Sequence, residues 1–94
     1  MSRKQEKILK HLETLDPHEA RFLVAALEKN AQTIYWKHDD DEIRSLIAKG
    51  LLESVPDDSP LLFKPFSIPR FVWDHIKTPE VFQALKGLAI ETKQ

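Results

Sequence analysis

Ile8, Leu12 and Leu15 follow one another at intervals of four and three residues, and this spacing predicts an amphipathic helix over residues 3–15. A second helix begins at Asp16, because Pro17 suits a first helical turn and Glu19 lies three residues after the cap. Its apolar face is then formed by Phe22, Leu23, Ala26 and Leu27. Asn30 then follows, a residue type that ends helices in the left-handed conformation, so two helices account for the first third of the chain.

The middle of the chain combines a short strand with a third helix. Residues 33–36 are β-branched or aromatic, which favours a strand, and one of the neighbouring aromatics in it is expected to be exposed. Asp39 or Asp40 is expected to cap the third helix, with the following acids at the positive end of its dipole. Gly50 is expected to end that helix.

The last part of the chain predicts a hairpin followed by two helices. Strands are expected over residues 51–55 and 61–68, separated by a turn rich in proline, aspartate and serine. Pro65 lacks a backbone N–H, so we expect it to lie at a sheet edge or to end regular pairing. A fourth helix starts near Pro69, and a fifth is predicted over residues 79–88.

The order of these elements favours an α+β class. A third helix that leads into a hairpin, with a short strand ahead of it to complete a three-stranded sheet, is the order of a winged helix. We therefore predict a winged-helix-like fold with two C-terminal helices. We expect a single domain over residues 1–90 and a frayed tail over residues 91–94.

Several segments together suggest a family. They are a helix that ends near Asn30, Thr33-Ile34-Tyr35, an acidic helix start, Ala48-Lys49-Gly50-Leu51-Leu52, and residues 66–76, which lead into a tryptophan-containing helix. In these segments the stretch 15–85 resembles the soluble C-terminal domain of superinfection exclusion protein B, a prophage-encoded membrane protein family. The resemblance implies a phage or bacterial origin and a winged-helix-like domain, and it supplies no catalytic residues. The family has transmembrane helices ahead of this domain, and this sequence has none there.

Composition narrows the function classes. The chain has 94 residues, no cysteine, and 14 basic against 15 acidic residues, so its formal net charge is −1. Disulfides and thiolate chemistry are excluded, and no apolar run approaches the roughly 20 residues of a membrane helix. We expect a soluble, cytoplasmic protein without membrane insertion. The strongly basic surface typical of nucleic-acid binding is also missing from the chain as a whole.

Catalytic and metal-binding patterns do not emerge from the sequence. The four histidines are dispersed, the acidic run beginning at His38 lacks the alternating ligands and the glycine of a calcium loop, and two glycines are too few for a phosphate loop. No serine has the neighbours of a nucleophile elbow. We predict a protein that is not an enzyme and that has no cofactor and no metal.

Charge is distributed unevenly, and this points to the partner. Residues 37–58 carry three basic and seven acidic side chains, although this segment holds the third helix and the hairpin that a winged helix would present to DNA. Phosphates require lysine or arginine, so this surface disfavours DNA. We predict a protein-interaction module with a possible basic partner and these partner-binding residues: Trp36, Asp39, Asp40, Asp41, Glu42, Asp57 and Asp58.

Other possibilities remain open at this level. A DNA-binding regulator could use a different face, with Arg3, Lys4, Lys7 and Lys10 of the first helix. The acidic run could also serve only helix capping and solubility. The chain could be a monomer or a homodimer.

Overall fold

In a computed structural model, which describes residues 2–56 and 62–90, the chain forms five α-helices and a three-stranded antiparallel sheet. The predicted α+β class is therefore confirmed. The helices are α1 Arg3–Lys10, α2 Pro17–Glu28, α3 Asp41–Ala48, α4 Arg70–Ile76 and α5 Pro79–Ile90. The strands are β1 Thr33–Lys37, β2 Glu53–Ser54 and β3 Phe63–Ser67. The predicted tail, residues 91–94, lies outside the described residues.

The helix boundaries follow the signals in the sequence closely. The Asp16 side chain accepts the His18 N–H at 2.9 Å, and the Glu19 carboxylate accepts the Asp16 N–H at 2.8 Å, which completes the expected capping box. Asn30 has a φ of 51°, as predicted for a helix terminator. The first helix is shorter than predicted, because His11–Thr14 tightens into a 3₁₀ turn before Leu15 becomes extended.

The sheet has the order β1-β3-β2, so the strand that precedes α3 joins the hairpin as predicted. Pro65 is in the central strand, and the expectation that it lies at a sheet edge is wrong. It is tolerated because it faces Tyr35 in a pair without ladder hydrogen bonds, while its nitrogen faces the short β2. The registered β2–β3 pairs end with Ser54 opposite Phe66, so regular pairing does stop beside the proline.

The strand predicted over residues 51–55 is longer than the observed β2. Its first two residues are apolar because they are buried in the core, and they are not paired with another strand among the described residues. Leu51 and Leu52 are almost completely buried and lie before the strand, as core side chains between α3 and the sheet. The predicted turn falls largely on residues 57–61, which lie outside the described residues. The hairpin is therefore formed by two registered β2–β3 pairs and the neighbouring bond from the Val55 N–H to the Pro65 carbonyl at 3.2 Å.

One continuous core lies between the sheet and the helices, and α5 packs mainly on α2. Phe22 is fully buried in it, and its ring meets the half-buried Trp36 ring edge-on, with centroids 5.0 Å apart. Tyr35, the neighbour of Trp36, is 63% exposed. This confirms the prediction that one of the two adjacent aromatics faces solvent. Within the described ranges, no helix is long and apolar enough to cross a membrane.

The two glycines of the chain make a matched pair for a stability test. Gly50 has a φ of 80°, and a β-carbon there would meet the Ile8 side chain at 3.0 Å, whereas Gly87 lies in α5 with open space around it. We expect Gly50→Ala to lower the free energy of unfolding by about 1–2 kcal/mol through left-handed strain. We expect Gly87→Ala to raise it by about 0.5–1 kcal/mol. Urea unfolding measures both, and effects of the same sign would contradict this account.

Candidate functional site

The starts of α2 and α3 lie side by side and enclose a shallow cavity of about 340 Å³. The capping Asp16 of α2 and the first helical residues of α3 contribute side chains to it. Its lining consists of Asp16, His18, Glu19, Asp41, Glu42 and Ser45. Four of these six side chains are carboxylates, so the cavity offers a negative environment.

We call Asp16, Asp39, Asp41 and Glu42 the acidic surface. The first three are exposed and Glu42 is half-buried. Asp41 and Glu42 occupy the first turn of α3. Because the amino end of a helix carries a partial positive charge, acidic side chains at these positions stabilise α3. The acidic surface thus consists of four carboxylate side chains and no basic one.

No ion pair among the described residues neutralises the acidic surface. The ion pairs among the described residues join Lys49 to Glu19, and Arg70 and Lys77 to Asp74. The lysine of α3 is thus engaged with a buried carboxylate and not with the exposed ones. Of the predicted partner-binding residues, Asp39, Asp41 and Glu42 lie at the start of α3, whereas Asp57 and Asp58 lie outside the described residues.

The prediction that the cap of α3 lies at Asp39 or Asp40 is confirmed in position, but the expected side-chain hydrogen bond is not formed. Asp40 occupies the N-cap position of α3, but its side chain makes no capping hydrogen bond. It accepts the indole N–H of Trp36 at 3.1 Å instead. The half-buried indole N–H needs a hydrogen-bond acceptor, and the carboxylate four residues further along the chain provides it. Asp40 and Trp36 therefore link β1 to the start of α3.

A buried carboxylate joins the two helices beneath the cavity. Glu19 is 2% exposed, and its second carboxylate oxygen accepts the Ser45 hydroxyl at 2.5 Å, while the Lys49 ammonium donates to the first at 2.8 Å. The sequence showed Glu19 only as part of a capping box. One signal could have indicated more, because Ser45 and Lys49 are four residues apart and so share one face of α3.

The surroundings of Glu19 act on its ionisation in opposite directions. Burial raises the pKa of the Glu19 carboxyl, but the hydrogen bonds from Lys49, Ser45 and the Asp16 backbone, together with the Lys49 charge, outweigh it. The pKa therefore lies below its ordinary value of 4.5. Glu19 is accordingly ionised at neutral pH, and its interactions hold α2 and α3 in place.

This depressed pKa predicts acid sensitivity. A carboxyl whose pKa is lower in the folded state stabilises the fold above its unfolded-state pKa, and this contribution falls as the pH drops from about 4.5 through the folded-state pKa. In urea unfolding from pH 6 to pH 3, we expect the stability difference between wild type and Glu19→Gln to shrink below about pH 4.5. The exposed Glu13→Gln variant is the control and should follow the wild type. A Glu19→Gln difference that stays constant over this range would contradict the assignment.

Neither the search for a metal site nor the comparison with known proteins assigns a function to the chain. Among the described residues, no group of three histidine, aspartate or glutamate side chains could hold a metal ion. No protein-family model matches the chain, and no curated protein or solved structure is similar to it at a significant level. The functional argument therefore rests on the geometry and charge of the acidic surface.

Proposed function

We propose that the protein is a non-enzymatic interaction module that binds a basic segment of a partner protein through its acidic surface. The observation that carries this proposal is the convergence of Asp16, Asp41 and Glu42 around one cavity, without an ion pair to a cation of the described chain. A lysine or arginine side chain of the partner would fill the cavity and supply the missing positive charge. Complementary charge would also raise the rate of association.

We propose further that the fold is a winged-helix variant whose usual DNA-facing elements serve protein binding. The order of β1, α3 and the hairpin supports this comparison. In such a fold the first residues of the recognition helix approach base edges, and here they are Asp41 and Glu42. Carboxylates next to phosphates are unfavourable, so protein binding is the better use of this surface. The resemblance to the superinfection exclusion B family suggests host modulation by a prophage-type protein as the setting.

The arrangement around Glu19 supports a role without catalysis. Ser45 and Lys49 both lie against the Glu19 carboxylate, so they are the described residues to consider for serine chemistry. The Glu19 carboxylate accepts hydrogen bonds from the Ser45 hydroxyl and from the Lys49 ammonium, and its lowered pKa makes it a weak base toward the serine. A nucleophilic serine needs an adjacent base that can accept its proton. This cluster therefore fits a structural link between α2 and α3.

A second candidate function is duplex DNA binding through α1. The charged groups Arg3, Lys4, Lys7 and Lys10 are all exposed, and no ion pair of the described residues engages them. They lie on a different element from the acidic surface, so the two candidates can be separated by mutation.

The test is a fluorescence anisotropy titration with a labelled peptide of alternating arginine and glycine at low salt. We expect the combined variant Asp39→Asn, Asp41→Asn and Glu42→Gln to weaken binding about ten-fold, because each nearby charge contributes up to about 0.5 kcal/mol. The matched control replaces three dispersed, exposed carboxylates, Glu13, Glu28 and Glu53, by glutamine, with the same change in net charge. The control should weaken binding by about two-fold at most.

Two results would overturn the proposal. Equal losses in both triple variants would show that net charge, and not the acidic surface, attracts the peptide. Salt-dependent binding of a labelled random duplex that is lost when Lys4, Lys7 and Lys10 are changed to glutamine would favour the second candidate.

A further inference from the structure

In the part of the chain that the structure describes, β1 is an edge strand, and no strand pairs with its outer side. The Ile68 N–H donates to the Gln32 carbonyl at 2.9 Å, and the His38 N–H donates to the Leu62 carbonyl at 3.3 Å. Bonds between β1 and β3 therefore fall on even-numbered residues of β1, since antiparallel pairs alternate. The backbone groups of Thr33, Tyr35 and Lys37 consequently point away from β3.

These outward groups have almost no partners in the described part of the chain. The Lys37 carbonyl accepts the Asp40 N–H at 3.3 Å. Within residues 2–56 and 62–90, no hydrogen bond engages the N–H and carbonyl of Thr33 and Tyr35 or the N–H of Lys37. All three residues are exposed. Such a row of donors and acceptors is the template on which an extended peptide adds as a further strand.

A groove of about 380 Å³ adjoins this edge on the inner side of the sheet, between α2 and α5. Trp36, the inward-facing aromatic of β1, forms part of its wall. Its other apolar lining residues are Val24, Ala25, Ala89 and Ile90. Side chains of a strand alternate between the two faces of a sheet. A strand added to β1 would therefore place every second side chain in the groove and the others beside Tyr35.

Charge around the groove indicates what kind of strand would fit. Among the described residues, Arg21, Lys86 and Glu28 are the charged groups that line it, and Lys37 lies at the edge itself. With the Asp40 carboxylate, which accepts the Trp36 indole N–H, these groups carry three positive and two negative charges, so they favour acidic side chains on a partner. A second copy of this chain complements it poorly, because the residues of its β1, Thr33–Lys37, include a lysine and no acid.

We propose that the free edge of β1 docks an extended segment of a partner protein, with apolar side chains at alternate positions that enter the α2–α5 groove and acidic side chains at its ends. This interface is separate from the acidic surface and does not depend on the proposed function. It gives the module a second contact of opposite charge preference.

The probe is a labelled seven-residue peptide with valine at alternate positions, threonine between them and glutamate at both ends. Tyr35→Pro removes the outward N–H without loss of a β1–β3 bond, and Ala25→Arg fills the groove. We expect each to weaken peptide binding about ten-fold, the effect of losing roughly one well-formed contact at the edge or in the groove. The matched controls are Tyr35→Thr, which keeps the N–H, and Ala84→Arg on the exposed side of α5. Both controls should stay within about three-fold of wild type.

Circular dichroism checks whether Tyr35→Pro folds. If it does not fold, Ala25→Arg still tests the groove, because that substitution leaves the strand unchanged. No saturable peptide binding to the wild-type chain up to about 1 mM would overturn the proposal. Equal affinities of Ala25→Arg and Ala84→Arg would also overturn it. The proposal would also be overturned if the wild-type chain sediments as a dimer and Tyr35→Pro sediments as a monomer. In that case a second copy of the chain would occupy the edge of β1.

Discussion

Glu19→Ala is expected to lower the free energy of unfolding by about 3 kcal/mol at neutral pH. The variant removes the carboxylate that accepts the Ser45 hydroxyl, the Lys49 ammonium and the Asp16 N–H. Without the carboxylate, these three donors lose their acceptor in a buried site, since Glu19 is only 2% exposed. Since the Lys49 side chain is 24% exposed and can turn to water, the loss should lie at the lower end for a buried pair.

Urea unfolding of Glu28→Ala is the matched control. Glu28 is the last residue of the same helix and is exposed, so its substitution should change stability by about 0.5 kcal/mol at most. Similar losses in the two variants would show that helix propensity, and not the buried carboxylate, determines the effect. A loss below about 1 kcal/mol for Glu19→Ala would contradict its role in joining α2 to α3.

Phe22→Ala is expected to cost about 4 kcal/mol, which is a large part of the stability of a domain of this size. Phe22 is fully buried in α2, and its ring meets the Trp36 ring 5.0 Å away. Removal of the ring opens a cavity in the core and also removes the edge-on aromatic contact that holds the indole. The inner wall of the groove beside β1 would loosen together with the core.

Thermal and urea unfolding measure this loss against the same substitution at Phe63. That residue is 51% exposed on the outward face of β3, so Phe63→Ala should change stability by about 1 kcal/mol at most. Phe22→Leu, which keeps more of the side-chain volume, should recover a large part of the loss. A cost for Phe22→Ala equal to that of Phe63→Ala would contradict the position assigned to Phe22 at the centre of the core.

Local signals predicted most of the fold because each acts within a few residues. Asp16 and Glu19 form the expected capping box, and Asn30 and Gly50 have the positive φ values that their positions at helix ends require. Proline at a sheet position is ambiguous by contrast, because the cost depends on which side of the strand lacks a partner. The Pro65 nitrogen faces β2. The proline fits in the central strand because β2 forms only two registered pairs with β3, and this short pairing is visible only in the structure.

The site was predictable in its charge and not in its contacts. The acidic start of α3 could be read from the sequence, but Asp16 joins it only because α2 and α3 begin side by side. In the same way, nothing local distinguishes Asp40, which bonds the Trp36 indole, from Asp39 and Asp41, which do not. The Glu19 link to Ser45 and Lys49 spans 26 and 30 residues, beyond the reach of pattern analysis.

The two interfaces proposed for this chain differ in sign and in the chemistry of recognition. The acidic surface would hold basic side chains by charge and by a small cavity, whereas the β1 edge would bind backbone groups together with alternate apolar side chains. Glu19 contributes indirectly to the first, because it fixes the spacing of the two helix starts. Trp36 contributes to the second, because Asp40 and Phe22 hold its ring beside the groove.

The most direct test of the central claim is an NMR titration of the ¹⁵N-labelled chain at low salt, with the arginine–glycine peptide in one series and a random DNA duplex in the other. If the acidic surface is a binding site for basic protein segments, the peptide will produce saturable shifts at the amides of Asp16, His18, Glu19 and residues 39–45, and the duplex will produce none over residues 39–55. Saturable duplex shifts over residues 39–55, or peptide shifts that leave Asp16, His18, Glu19 and residues 39–45 unchanged, would contradict the account.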